Sequence, residues 1–94
     1  MHMDDEKRYY TYILRCSDGT LYTGYAADPA RRMRVHNAGK GAKYTRTRLP
    51  VALIYTECFY SRSAAQQREA QIKQFSRTQK LLLVEQYEKA SPPE

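Results

Sequence analysis

The rhythm of apolar and polar positions changes several times along this chain. Residues 9–16, YYTYILRC, are rich in aromatic and β-branched side chains and predict a strand. Ser17-Asp18-Gly19 is a turn signal, and Leu21–Tyr25 returns as a second strand. Loop length sets the register of such a hairpin. A three-residue loop with Gly19 in the left-handed position pairs Cys16 with Thr20, so that Tyr12 faces Gly24 and Leu14 faces Tyr22. Side chains alternate along strands, so Tyr12, Leu14, Tyr22 and Gly24 then share one sheet face. A two-residue loop would put the two tyrosines on opposite faces. Glycine at the turn favours the first arrangement. A glycine opposite Tyr12 also leaves room for another backbone to approach.

Asp28-Pro29 predicts a helix start, with Asp as N-cap and Pro at the first helical position, and Gly39 closes the helix. Ala30, Met33 and Asn37 lie on one side of it. Arg32 and His36 are one helical turn apart and are surface neighbours, for which an exposed cationic edge is the plain alternative to a site. Residues 38–50, AGKGAKYTRTRLP, have neither period and predict a basic, mobile loop. VALIYTECF, residues 51–59, is a nearly continuous apolar run and predicts a third strand covered on both faces. Ser63 with Gln66, and Ser76 with Gln79, match the capping-box pattern and predict helices over about 64–75 and 77–88. Ala65, Ile72 and Phe75 form the core side of the first. Glu69 falls at the edge of that apolar face, where a carboxylate needs a partner. Lys73, one turn on, could supply it as a structural ion pair. The last helix should turn Leu81, Val84 and Tyr87 inward. The pattern predicts one α+β domain over residues 9–88, with flexible tails at 1–8 and 89–94.

A chain of 94 residues supports one small core. At 41% hydrophobic and 28% charged residues, the composition is globular. No apolar run is long enough to span a bilayer, and no charged-then-apolar leader opens the chain, so a cytoplasmic protein without membrane association is expected. Cys16 and Cys58 form no paired motif and read as reduced strand residues. With only two histidines, of which His2 is given no role, the sequence argues against a zinc site.

Charge changes the picture more. The net charge is +6, and no acid occurs between Asp28 and Glu57. That window holds Arg31, Arg32, Arg34, Lys40, Lys43, Arg46 and Arg48, interleaved with Tyr44, Thr45 and Thr47. A one-signed block attracts polyanions, and nucleic acid is the expected partner; a solvated face is the bland alternative.

The order of these residues resembles the GIY-YIG nuclease superfamily. Tyr10-Thr11-Tyr12 stands for the first motif and Tyr22-Thr23-Gly24 for the second, followed by Arg31-Arg32 in a helix, His36-Asn37, and the lone Glu69 in a later helix. The segments TGYAADPARRMRVHN, GKGAKYTRTRLP and REAQIKQFSRTQK are similar to the small stand-alone bacterial members, the YhbQ/YazA-like group. The resemblance covers residues 9 to about 84. Tyr10 and Thr11 replace the first motif's Gly and Ile, and Thr23 replaces the second motif's Ile, so the packing is altered while both tyrosines and Gly24 remain.

The resemblance implies a three-stranded antiparallel sheet flanked by three helices, and metal-dependent phosphodiester hydrolysis. It carries Tyr12 and Tyr22 over as the motif tyrosines, Arg32 as the helix arginine, His36 as a position that is His or Tyr in many members, and Glu69 as the metal-binding glutamate. One carboxylate suits a single Mg²⁺ or Mn²⁺ that keeps most of its waters. A two-metal site wants a cluster of carboxylates, which this sequence lacks. Arg32 would neutralise the phosphate. A free phenol, at a pKa of about 10, is a poor base at neutral pH. Arg32, Lys43 or the metal would have to lower it. One tyrosine, assisted by His36, would take the proton from water while the other positions it. In a chain with nine tyrosines, ordinary core packing is the alternative for each.

Three functions compete. The first is a metal-dependent endonuclease, on DNA ahead of RNA, with repair or recombination as its setting and a protein partner for targeting. The second is a non-catalytic module of the same fold that recruits nucleic acid through residues 31–48, with Gly24, Arg31, Arg34, Lys40, Lys43, Arg46 and Arg48 as contacts in either case. The third is a structural or ribosome-associated basic protein, whose binding would be salt-sensitive and metal-independent.

Overall fold

β1 (Tyr9–Arg15) is the middle strand of an antiparallel sheet, with β2 (Leu21–Ala26) on one side and β3 (Ala52–Phe59) on the other. The computed structural model describes residues 7–90; of the tails expected at 1–8 and 89–94, residues 1–6 and 91–94 lie outside the described residues. Gly19 has a φ of 85°, and the Cys16 amide donates to the Thr20 carbonyl at 2.8 Å, which closes the three-residue loop. The register follows from it: Tyr12 opposes Gly24 and Leu14 opposes Tyr22. β3 carries one extra residue at Ile54, where the pairing steps from Ile13–Tyr55 to Leu14–Leu53.

Helices cover both faces of the sheet. Tyr12, Leu14 and Cys16 pack with Val51 and Met33 of α1 (Pro29–Asn37). Ile13 and Tyr55 pack on the other face against Ile72 of α3 (Arg62–Lys73) and Val84 of α4 (Arg77–Ala90). Asp28 caps α1 by accepting from the Arg31 amide at 3.1 Å, with Pro29 in the first turn. At its other end the Asn37 side chain bonds both the N–H and the C=O of Val51, tying α1 to the start of β3.

Four expectations need correction. The apolar run 51–59 is an edge strand, and most of its residues are only half-buried; the strand covered on both faces is β1, whose residues Thr11, Tyr12, Ile13 and Leu14 are all buried. An apolar run does not reveal which strand lies in the middle. Residues 38–50 contain a single helical turn, α2 (Lys43–Arg46), so the helices number four among the described residues; one turn is too short to show a period. α3 is capped by Ser61, which accepts from the Ala64 amide at 3.0 Å, and not by Ser63. The Ser76–Gln79 capping box forms in both directions, at 3.1 and 2.8 Å. In α4, Leu81 is 42% and Tyr87 37% exposed, and Val84 with Leu83 makes the core contact. Tyr87 instead lies along the sheet margin, its ring 5.3 Å from that of Tyr55.

The capping result gives a direct test. Ser61→Ala should destabilise the protein by about 1 kcal/mol, whereas Ser63→Ala should change stability by less than about 0.5 kcal/mol in urea unfolding. Equal losses in the two variants would contradict the assigned cap.

Candidate active site

The hairpin register brings the two phenols to one face, and Gly24 sets how closely they sit. A Cβ built at Gly24 would lie 2.6 Å from the Tyr12 hydroxyl and 2.7 Å from its Cζ. The space over the glycine is therefore filled by Tyr12 itself, and not by the approaching backbone the sequence suggested. Tyr12 ends up 1% exposed, while Tyr22 remains half-buried.

A cleft of about 320 Å³ opens over this pair, lined by Tyr12, Tyr22, Gly24, Tyr25, Arg32, Gln66 and Glu69. Residues from β1, β2, α1 and α3 thus converge, including four of the five residues singled out for chemistry. The fifth, His36, lines an adjoining cleft of about 310 Å³ with Lys40, Gly41 and Ala42, and the two clefts share Tyr22 and Arg32. His36 is 2% exposed, which removes the exposed-edge alternative for it; Arg32 stays exposed.

Buried hydrogen bonds fix the state of His36. The Thr45 hydroxyl donates its one hydrogen to the Ala42 carbonyl at 2.8 Å. It can therefore only accept from the His36 ring, whose Nδ1 lies 2.8 Å away. Nδ1 carries the proton, and Nε2 presents its lone pair to the Tyr12 hydroxyl at 3.4 Å. Burial, seconded by the charge of Arg32, lowers the His36 pKa from the ordinary 6.5 and keeps the ring neutral. Gly41 seals the arrangement: a Cβ there would sit 2.3 Å from His36 Nδ1.

Burial also decides the Tyr12 pKa. It pushes the phenol up to about 12, with the neighbouring Tyr22 adding to the rise, and the opposing pull of Arg32 is too weak to reverse it. Arg32 thus acts on Tyr12 in the expected direction but does not make it a ready base. Lys43 is exposed on α2. Glu69 is 22% exposed at the side chain and pairs with Lys73 at 3.1 Å, the i,i+4 bridge weighed above.

The remaining cations divide. Arg31, Arg34, Lys40, Lys43 and Arg46 are exposed along α1, the following loop and α2. Arg48 is committed to the fold: its guanidinium bonds Asp18 at 3.1 Å and the Tyr44 carbonyl at 2.6 Å, and lies 3.9 Å from the Tyr44 ring centroid. Among the described residues no group of three or more His, Cys, Asp and Glu gathers in one place. A lone carboxylate in a polar cleft fits a cation that keeps most of its waters and takes an oxygen from its substrate.

Sequence reasoning missed three contributors. Thr45 sits in a stretch with no period, so nothing marked it as buried. Gly41 looked like loop punctuation. Gln66 fits a capping pattern in the sequence, yet its amide donates to the Tyr25 hydroxyl at 2.9 Å and bridges α3 to β2 at the rim of the cleft.

Comparison with known proteins agrees with this geometry. The GIY-YIG catalytic domain matches residues 8–81. The UPF0213 protein SH2523 of Staphylococcus haemolyticus is 54% identical over 79 residues, which are 84% of this chain and 96% of that protein. The UPF0213 protein HQ_3675A of Haloquadratum walsbyi is 56% identical over 78 residues, 83% of this chain and 88% of its own. The solution NMR structure of EF2693 from E. faecalis superposes with a TM-score of 0.60 at 41% identity, covering 94% of both chains. That of the UPF0213 protein BH0048 from Bacillus halodurans gives 0.54 at 47% identity, covering 83% of both. With motif order, sheet topology and relatives in agreement, the chain belongs to the GIY-YIG family, in its small stand-alone group.

Proposed function

We propose that this protein is a metal-dependent endonuclease that hydrolyses phosphodiester bonds in nucleic acid, with DNA as the preferred substrate. The observation that carries the reading is the convergence of Tyr12, Tyr22, Arg32 and Glu69 in one polar cleft. A packed core has no use for an arginine and a carboxylate turned toward two phenols. The proposed setting is cytoplasmic DNA repair or recombination, where branched, nicked and single-stranded substrates arise, with a protein partner for targeting. In keeping with that setting, no described helix is long and apolar enough to cross a membrane.

The two tyrosines take different roles because their surroundings differ. Tyr12 gives its hydrogen to His36 Nε2, so its oxygen lone pairs remain for the cleft, where they orient the attacking water. Buried and with its pKa near 12, it is a poor base. Tyr22 is the more accessible phenol and lines both clefts together with Arg32; it takes the proton from water. The planar guanidinium of Arg32 holds the phosphate oxygens. Glu69 would hold one Mg²⁺ or Mn²⁺, which when bound supplies charge neutralisation at the phosphate. For that role Glu69 must give up Lys73.

The Glu69–Lys73 bridge also favours a second reading, a recruitment module that binds nucleic acid through Arg31, Arg34, Lys40, Lys43 and Arg46 without cutting it, since the carboxylate is already neutralised. Gel-based cleavage of duplex, single-stranded, nicked and branched DNA and of RNA, with Mg²⁺, Mn²⁺ or EDTA, separates the two. Glu69→Ala should lower metal-dependent cleavage by about 100-fold or more while binding stays mostly intact. Equal cleavage by variant and parent removes Glu69 from the mechanism, and binding without cutting on every substrate selects the recruitment module.

Thr45 provides a test through His36. Thr45→Val keeps the shape and removes the only acceptor at Nδ1. The ¹⁵N shifts of the ring should report a fixed Nδ1-protonated tautomer in the parent and a mixture in the variant. Cleavage should fall by roughly fivefold to tenfold, the worth of about one hydrogen bond. Since the neutral ring is the working form, parent activity should rise with pH through the range below 6.5. An unchanged tautomer in Thr45→Val would refute the fixed chain of hydrogen bonds.

A further inference from the structure

The segment REAQIKQFSRTQK carries four cations, Arg68, Lys73, Arg77 and Lys80, that the proposed chemistry does not use; of these Arg68 is bonded to Glu57. A cleft of about 280 Å³ lies along β2, lined by Leu21, Tyr22, Thr23, Tyr44, Lys73 and Lys80. It shares Tyr22 with the candidate active site, so the two depressions meet at that ring. Tyr44 forms the other part of the wall, its ring stacked at 6.1 Å on that of Tyr22.

Two polar groups in this cleft are unsatisfied. The Lys80 side chain is half-buried and makes no hydrogen bond or ion pair among the described residues. Burial, with Lys73 close by, lowers its pKa from the ordinary 10.5. Thr23 is 2% exposed, and its hydroxyl has no hydrogen-bond partner among the described residues. A buried hydroxyl without a partner is uncommon. Two ammonium groups sharing a half-buried cleft repel each other, and an anion between them removes that cost. Lys80 is held where it is. Arg77, in the same first turn of α4, donates to the Gly19 carbonyl at 2.7 Å and pins the helix to the hairpin. Lys73 is free to move, being 51% exposed at the side chain and bridged only to Glu69.

We propose that this cleft is a second phosphate subsite, in which Lys80 and Lys73, above the buried Thr23, hold a backbone phosphate of the bound strand that flanks the one at Arg32. The inference rests on the nucleic-acid reading above and extends it. A strand lying across Tyr22 enters both depressions, so its path runs from α1 over the edge of β2 to α3 and α4. Lys73 gains a second meaning on this path. When it swings to the flanking phosphate it leaves Glu69, and arrival of the substrate exposes the carboxylate that the chemistry needs.

The test is a binding experiment in EDTA, where no cutting occurs. The full chain, Lys80→Met and Lys80→Arg are titrated by fluorescence anisotropy against short single-stranded DNA, duplex DNA and single-stranded RNA of one sequence, over a series of salt concentrations. Lys80→Met should lower the slope of log affinity against log salt by about 0.7 on a single strand or about 0.9 on a duplex, the value of one phosphate contact. The loss should not depend on sequence, and Lys80→Arg should retain the contact. The arm with the largest loss names the strand type. In the unmodified chain, saturating oligonucleotide should shift the Thr23 amide and Lys80 side-chain NMR signals, a readout that does not depend on the variant folding. Identical slopes for Lys80→Met and parent, or undisturbed Thr23 and Lys80 signals at saturation, overturn the subsite and leave the endonuclease reading standing. A slope loss in a protein that never cuts supports the subsite and overturns the endonuclease. Absence of any binding by the parent overturns both.

Discussion

Slide β2 by one residue against β1 and Tyr22 leaves the face that holds Tyr12. The candidate site depends on this register more than on any other feature. Gly19, at a φ of 85°, makes the three-residue loop possible, and the loop places Tyr12 over Gly24 and Leu14 over Tyr22. The absent Cβ at Gly24 then lets the Tyr12 ring lie flat across β2, where any larger residue would strike its hydroxyl. From that position the phenol reaches His36 on α1, and the cleft above it receives Arg32 and Glu69 from helices on opposite faces of the sheet. Two glycines thus convert a common hairpin into a site with defined depth.

The electrostatic logic follows from burial. Tyr12 and His36 are both nearly inaccessible, so each is pushed towards its neutral form, the phenol upward and the imidazole downward. Two neutral groups can share one hydrogen in a fixed sense, and Thr45 sets that sense from the far side of the ring. The charged members of the site, Arg32, Glu69 and Lys73, sit nearer the surface than this neutral pair. α2 therefore links the two halves of the account. It offers Lys43 and Arg46 to the outside while its Thr45 is fully buried against the histidine.

Much of this was legible in the sequence, for reasons that can be named. Local signals with strict stereochemistry were read correctly: the αL glycine, the Asp28-Pro29 start of α1 and the reciprocal Ser76–Gln79 cap. Ordered motifs and spacing gave the family and the sheet. What was not legible depends on tertiary contacts. Ser63 with Gln66 matches the capping-box pattern, yet Ser61 is the cap, and Gln66 bonds Tyr25 instead. An apolar run such as 51–59 serves equally well as a middle or an edge strand, and only the order β2-β1-β3 decides. Thr45 is a buried threonine among exposed cations, and no periodicity in a single turn could mark it. The same holds for Lys80, whose lack of a partner among the described residues is a property of the packed helices rather than of the sequence.

In the proposed chemistry one carboxylate, Glu69, would hold the metal, and paramagnetic relaxation tests that most directly. Mn²⁺ titrated into ¹⁵N-labelled protein should first broaden the amides around Glu69, Gly24 and Tyr12, and Glu69→Ala should abolish that local effect while leaving the spectrum otherwise unchanged. Broadening that centres elsewhere, on Asp18 or Asp28 for instance, or that is the same in Glu69→Ala, would contradict it.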